Sequence, residues 1–395
     1  VTHAAAVAVA AVAEAVAVVA AKDRFGLGWR GPLAAGILSS LEQLDCLEII
    51  AEQYAHLPQA QRRSLQYLSR QIPISLHGVS LGLAGSTPPP QARMETLARL
   101  GDELQAETIS EHLSFVRAQP DHPKGSAIEI GHLAAPPRNY ASVERACEAI
   151  HKIQRLSERP LLVENIPSLI TSFGSDLTES QWLRKIAQNS QAPLLLDLEN
   201  LYANAVNRGE NPFELLLELP LSQVHTVHLS GGRWVDIPYQ NTTERRFLDD
   251  HRQDILPTVF ELLALLAAHA PQNLTVIIER DGNYPAMHEL LAQLSQAKAA
   301  VAYGRQNAKP CARTIAQSDY SPSTNNIIEN KRIEYLLAEL FCNAHQRQLF
   351  MLDPVKQLES RNLAELTVEI ERLDWAGLLL MARSVAAKNH SHHSE

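Results

Sequence analysis

A chain of 395 residues that is 45% hydrophobic and 20% charged has room for one large α/β domain and a smaller appendage. Its net charge of −9, from 35 basic against 44 acidic side chains, comes with no long basic stripe, which weighs against nucleic-acid binding. The four cysteines, Cys46, Cys147, Cys311 and Cys342, show no CxxC spacing; this argues against a disulfide framework or a zinc knuckle and for the reduced thiols of a cytoplasmic protein.

The first 21 residues are almost all Ala and Val. They lack the basic start of a signal peptide, and weakly apolar Ala with a central Glu14 makes a poor membrane span. Residues 1–23 therefore read as a helix-prone extension without functional weight. From residue 24 onward short apolar runs alternate with helical spacing. The expected strands are RFGLGW, DCLEII, ISLHGV, TISEHLSF, PLLVENI, PLLLDLE, VHTVHLS and LTVIIER. Between them, stretches such as ASVERACEAIHKIQRLSE, LTESQWLRKIAQN, NPFELLLEL and DILPTVFELLALLAAHA carry the apolar period of a helix. SDLTES before Gln181 and the Asn211-Pro212 pair look like helix starts. Eight strands alternating with helices predict a (β/α)8 TIM-type barrel over 24–305. A doubly wound sheet is disfavoured, because GLGWRG does not match GxGxxG. Polar, Pro- and Asn-bearing 306–325 reads as a linker, and 326–395 as a small C-terminal helical appendage built from IENKRIEYLLAELFCNAHQ and QLESRNLAELTVEIERLDWAGLLLMARSVA. The tail histidines His390, His392 and His393 read as a plain terminus.

The informative pattern lies at the strand ends. His77, His112, Glu164, Asp197 with Asn200, His228, Asp249 with His251, and Glu279 all fall late in an expected strand or just beyond it, where a barrel of this type builds its active face. Singly, each has an ordinary explanation: a satisfied structural histidine, or a carboxylate capping the next helix. Together they do not. Four carboxylates buried side by side without cations would cost several kcal/mol per charge, so a shared metal centre is the cheaper arrangement. Imidazole, carboxylate and amide donors without thiolate suit Fe, Mn, Zn or Co. Nine donors are too many for one ion and enough for two or three, with Glu164 able to bridge. Glu48, Glu52 and Glu111 are candidates to orient ligands, Arg280 and Asp281 for an ion pair at the rim, and Trp29 and Arg30 for substrate contact.

In order, GLGWR, LEIIAEQY, LHGVSLGL, SEHLSF, LLVENI, LLDLENLYANA, HLSGG, DDH and ERDGN make residues 24–305 similar to the multinuclear non-haem iron-dependent oxidative enzymes, the group that includes the methanobactin-maturation enzymes. The resemblance implies a (β/α)8 barrel holding two or three mixed-valent irons, with O2 as co-substrate. It also implies oxidative modification of cysteine, or sometimes another residue, in a ribosomally made precursor peptide, often with a partner protein that presents the leader peptide; from charge and the N-terminal segment, neither a nucleic acid nor a membrane is expected as partner. Carried over by motif, His77, His112 and Glu164 would hold one iron. Glu164 would bridge to a second, held by Asp197, His228 and Glu279, while Asn200, Asp249 and His251 would hold a third. Glu164, Asp197 and His228 would form the catalytic core. Gln53 stands where the family commonly has Asn, which touches substrate contacts and not the metal set. Two other readings compete: a zinc- or manganese-dependent hydrolase or isomerase of the xylose isomerase and endonuclease IV type, and a peptide-binding scaffold with a structural metal.

Overall fold

The structure is a computed structural model that describes residues 22–121, 126–308 and 325–391. The Ala/Val segment up to residue 21, Cys311, most of the expected linker (309–324), and His392 and His393 lie outside the described residues.

Eight parallel strands close into a barrel. They are β1 (Arg24–Gly28), β2 (Cys46–Ile50), β3 (Ile74–Gly78), β4 (Ile109–His112), β7 (Leu161–Glu164), β8 (Leu194–Asp197), β9 (Val224–Leu229) and β12 (Thr275–Ile278), in the spatial order β1-β12-β9-β8-β7-β4-β3-β2. All eight expected strands are present. Their apolar runs are buried along almost their whole length, as expected for parallel strands covered on both faces. Helices Tyr140–Leu156, Glu179–Ser190, Pro212–Glu218 and Pro257–His269 occupy the stretches with helical spacing. The foreseen caps close as drawn: Thr178 and Gln181 form a capping box, and Asn211 accepts from the Phe213 N–H.

Two hairpins were not foreseen. TISEHLSF is not one strand: β4 ends at His112, and β5 (Phe115–Ala118) pairs antiparallel with β6 (Ile128–Ala134). After β9, β10 (Gly232–Tyr239) pairs with β11 (Thr242–Asp249), turning through Gln240 in the left-handed region. Both hairpins stand on the C-terminal face of the barrel, because each follows the end of a barrel strand. The second helical stretch of the appendage is also broken. A helix over Pro354–Glu359 ends before Asn362 (φ 54°), a 3-10 run follows over Ala364–Arg372, and a closing helix spans Trp375–Ser391.

The helical region after residue 325 has its own apolar core, in which Leu336, Leu337, Phe350 and Leu378 pack on Phe115, Ile130 and Phe173 of the barrel's upper loops. Polar ties fix it there. Asn330 and Asn139 exchange side-chain hydrogen bonds, Arg246 forks onto Asp374 at 2.7 and 2.9 Å, and the Gly174 N–H donates to Glu369. Fully buried Glu334 accepts from Ser86 N and Oγ, and burial pushes its carboxyl up to about 8. The folded protein thus holds a proton on Glu334 that the unfolded chain releases near pH 4.5. This residue lowers stability as pH rises from about 4.5 to about 8, on the order of 1 kcal/mol per pH unit. Glu334→Gln is expected to flatten the stability–pH profile across that window, which denaturant midpoints at pH 5 and pH 8 would read.

Candidate metal centre

Parallel register brings neighbours of one strand-end level together. His112 pairs with Glu164 across β4 and β7, and Asp197 with His228 across β8 and β9. Side chains pointing into the lumen then meet across the barrel: the His77 and His228 rings lie 5.3 Å apart although β3 and β9 are not adjacent. Donor atoms converge in four overlapping sets: His77, His112 and Glu164; Glu164, Asp197 and His228; Glu48, His228 and Glu279; and Asp197, His251 and Glu279.

The distances within these sets are informative. Glu164 Oε2 lies 3.2 Å from His112 Nε2 and 3.5 Å from His77 Nε2, while Oε1 is 3.1 Å from His228 Nδ1. His228 Nε2 is 3.0 Å from Glu48 Oε1, and His251 Nδ1 is 3.6 Å from Glu279 Oε2. Donors around an ion with bonds of about 2.1 Å stand about 3.0 Å apart along an octahedral edge and about 3.4 Å apart along a tetrahedral one. Several donor atoms that are themselves buried meanwhile lack a hydrogen-bond partner among the described residues: Glu48 Oε1, Glu164 Oε2, Asp197 Oδ2, Asn200 Oδ1, His112 Nδ1 and His251 Nδ1. Orphaned buried lone pairs are costly. Oriented at such spacings, they fit a metal.

Supports hold these donors in place. His77 Nδ1 contacts Ser110 Oγ at 2.8 Å, which fixes Nε2 toward the centre, and Glu111 accepts from the His112 N–H and the Leu81 N–H. Asn165 brackets Asp197 with two hydrogen bonds to its backbone. Arg30, buried in the GLGWR motif, reaches Glu279 at 3.1 Å and Asp281 at 2.5 Å. The expected Arg280–Asp281 pair does not form: Arg280 binds Asp254 instead, leaving Asp281 to Arg30 and His251.

The centre's electrostatics set buried imidazoles against buried carboxylates. Burial alone would raise the Glu164 carboxyl, but the His112, His228 and His77 imidazoles outweigh it and hold it at about 2. Burial likewise works against protonating His112, His228 and His251, yet the facing carboxylates win. His112 is raised to about 9, and the other two well above their ordinary value. Asp197 is pushed up by burial, Asp249 and Glu164.

Of the nine strand-end residues, His77, His112, Glu164, Asp197, His228, His251 and Glu279 enter the convergent sets. Asp249 stands one step out, 2.9 Å from His251 Nε2, and Asn200 turns its unpartnered Oδ1 into the buried interior while its amide holds Asn165. Glu48, foreseen only as an orienting group, is a full member of one set. Glu199 was missed altogether: its carboxylate is fully buried, with no side-chain partner among the described residues, and burial together with Asp249 and Asp197 raises it strongly. Its only signal was a second acid in DLEN. Glu52 serves the backbone instead, accepting from the Val79 N–H.

A closed parallel barrel with this buried imidazole–carboxylate cluster on its C-terminal face is a (β/α)8 protein with a candidate metal centre. Residues 24–302 match the family described as RiPP precursor modification enzyme MbnB/TglH/ChrH, and the chain belongs to that family. Among relatives, a UPF0276 protein of Streptomyces avermitilis is 34% identical over 271 residues, spanning 68% of this chain and 53% of that protein. The chain thus covers about half the length of that relative. A UPF0276 protein of Caulobacter vibrioides is 28% identical over 285 residues, spanning 72% of this chain and 96% of its own. Solved structures with a similar course include D-psicose 3-epimerase from Clostridium cellulolyticum (TM-score 0.44, 14% identity, 72% of this chain and 99% of that one). Endonuclease IV from Thermus thermophilus is another (TM-score 0.45, 17% identity, 71% and 99%).

Proposed function

We propose that the protein is an O2-dependent multinuclear iron enzyme that oxidatively modifies a residue, cysteine above all, of a ribosomally synthesised precursor peptide. The observation that carries this reading is Glu164. Its two oxygens point to different imidazoles, and it belongs to two convergent donor sets at once, as a bridging carboxylate does. Metal sites built on it would draw on His77, His112, Asp197, His228, His251, Glu279 and Glu48, with Asn200 and Asp249 completing the ligands. Two or three irons bound there would supply one-electron redox chemistry and an open position for a substrate thiolate.

The chain's own residues do the rest. Ser110 and Glu111 set the His77 and His112 rings, Arg30 fixes the Glu279 carboxylate, and the walls of the barrel keep the centre dry. His251 is the most accessible of the convergent donors, with about a fifth of its side chain exposed, so the peptide enters on that side. The unit doing this work is the barrel, 24–305, followed by the linker 306–325 and the helical region 326–395; the protein works in the cytoplasm, with a partner protein presenting the leader peptide. Purified protein is expected to carry two or three irons per chain and to consume O2 with Cys-bearing precursor peptides. Stoichiometric zinc or manganese, with no O2 uptake after iron loading, would replace this reading by the hydrolase or isomerase one.

A further inference from the structure

Among the convergent donors, His251 stands furthest from a regular element. The others lie on a barrel strand or directly after one, whereas β11 ends at Asp249 and the next helix begins only at Pro257. The segment 250–256 between them is irregular. The His251 backbone also sits in the left-handed region, with φ at 54°. A residue other than glycine is uncommon there, and it keeps that conformation where its surroundings determine it.

Two sets of contacts do so. On the side of the centre, the Asp281 N–H donates to the His251 carbonyl at 2.8 Å, and the imidazole meets Asp249 at 2.9 Å and Asp281 at 3.3 Å. On the far side the grip comes from Gln293, buried on the helix Met287–Gln306. Both ends of its amide serve the segment: Oε1 accepts from the Ile255 N–H at 3.3 Å, and Nε2 donates to Asp254 Oδ1 at 3.1 Å. The same Asp254 oxygen accepts from Arg280 Nη2 at 2.8 Å. Between the two grips the segment lies on Gly231, so close to the carbonyls of Gln253 and Asp254 that no side chain would fit.

One tripeptide links the two sides. Glu279 supplies a convergent donor, Arg280 holds Asp254, and Asp281 holds His251 by backbone and carboxylate. The separation of His251 from Glu279 is therefore fixed by anchors on the same stretch of chain that carries Glu279. Gln293 adds the one grip from a separate element.

We infer that Gln293, acting through Asp254 and Ile255, is a positioning residue for the metal position shared by Asp197, His251 and Glu279. It holds segment 250–256 so that His251 Nδ1 stays 3.6 Å from Glu279 Oε2. The inference rests on the metal-centre reading above and adds what sets the affinity of one position apart from the others. The position built on His77, His112 and Glu164 uses strand residues alone, so it is independent of this grip.

The test titrates the chelated full chain with Co(II), read by the cobalt d–d bands and by equilibrium dialysis. His251→Ala marks which step belongs to the shared position. Gln293→Met keeps the length of the side chain and removes both hydrogen bonds. It is expected to weaken that one step by about 10–100-fold, the usual cost of losing a group behind a ligand, and to leave the other steps and their bands as in the wild type. Asp254→Ala should act in the same direction. The Asp254 side chain is 76% exposed, so its removal takes no packing away, and this variant decides alone if Gln293→Met does not fold. Equal weakening of every step, or no change at the step that His251→Ala removes, overturns the positioning role while leaving the metal centre standing. A wild type that binds no cobalt overturns the metal reading itself, and this inference with it.

Discussion

Replacing Glu164 by glutamine is expected to cost the protein more than any other single change in the barrel. Glutamine has the same shape, and neutralising a fully buried carboxylate leaves packing intact, so the fold should survive. The amide, however, offers one acceptor oxygen and a nitrogen that can only donate. Of the two oxygens now aimed at His112 and His77 on one side and at His228 on the other, one direction must be lost. Loss of a supporting group behind a ligand commonly weakens a site by about 10–100-fold, and loss of a bridge should exceed that at both positions. Metal analysis should show at least one ion fewer per chain, and O2 uptake should fall by at least about 100-fold. His251→Ala is the contrast. His251 belongs to the set with Asp197 and Glu279 alone, so its loss should empty that position while the His77–His112 position stays filled. A Glu164→Gln protein with a full metal complement would sink the bridging role.

The barrel was legible because parallel strands announce themselves locally. PLLVENI and PLLLDLE are apolar runs stopped by a donor, and burial on both faces leaves no other composition open to them. The hairpins were not legible for the same physical reason in reverse. β10 and β11 stand with one side in solvent and pair only with each other, so their sequence is mixed and charged and their pairing depends on a turn at Gln240 that no Asn-Gly or Asp-Gly signal marks. Within the candidate centre, strand-end position picked out seven of the residues that converge. It undervalued Glu48, which lies in the body of β2 and reaches His228 across the lumen, because a contact between non-adjacent strands depends on barrel closure and leaves no spacing in the chain. Asp281 was likewise paired with its sequence neighbour, Arg280, whereas β1 and β12 lie side by side and deliver Arg30 to it.

The two unforeseen hairpins also explain why the helical region sits where it does. They raise the C-terminal rim into walls, and the apolar inner sides of those walls, Phe115 and Ile130 on one and Ile237 on the other, would face water without Leu336, Leu378 and Leu380. Covering them fixes the helices over the C-terminal face of the barrel, the side on which the candidate centre lies.

Chelating the metals away is expected to leave a folded protein whose stability falls as pH rises from about 6.5 to about 9, while its affinity for metal rises over the same span. The first half follows from His112. Burial opposes its protonation, but Glu164 and Glu111 raise it to about 9. Its contribution is therefore fully present below 6.5, where folded and unfolded chains are both protonated, and is lost progressively up to about 9, at about 1.4 kcal/mol per pH unit. His228 and His251, raised in the same direction, steepen the decline. Glu164 and Glu279, held low despite burial, act at the other end: their contribution is present above the ordinary carboxylate range and is lost on acidification. The second half follows because an imidazole must give up its proton to bind a metal. Each raised histidine that becomes a ligand releases about one proton at neutral pH, and the slope of log affinity against pH counts them. Denaturant unfolding of the chelated protein between pH 6 and pH 9, set against metal titrations over the same range, reads both slopes. A purely structural ionic cluster would show the first slope with no metal affinity to produce the second; opposite slopes in one protein require protons and metal to compete for the same nitrogens.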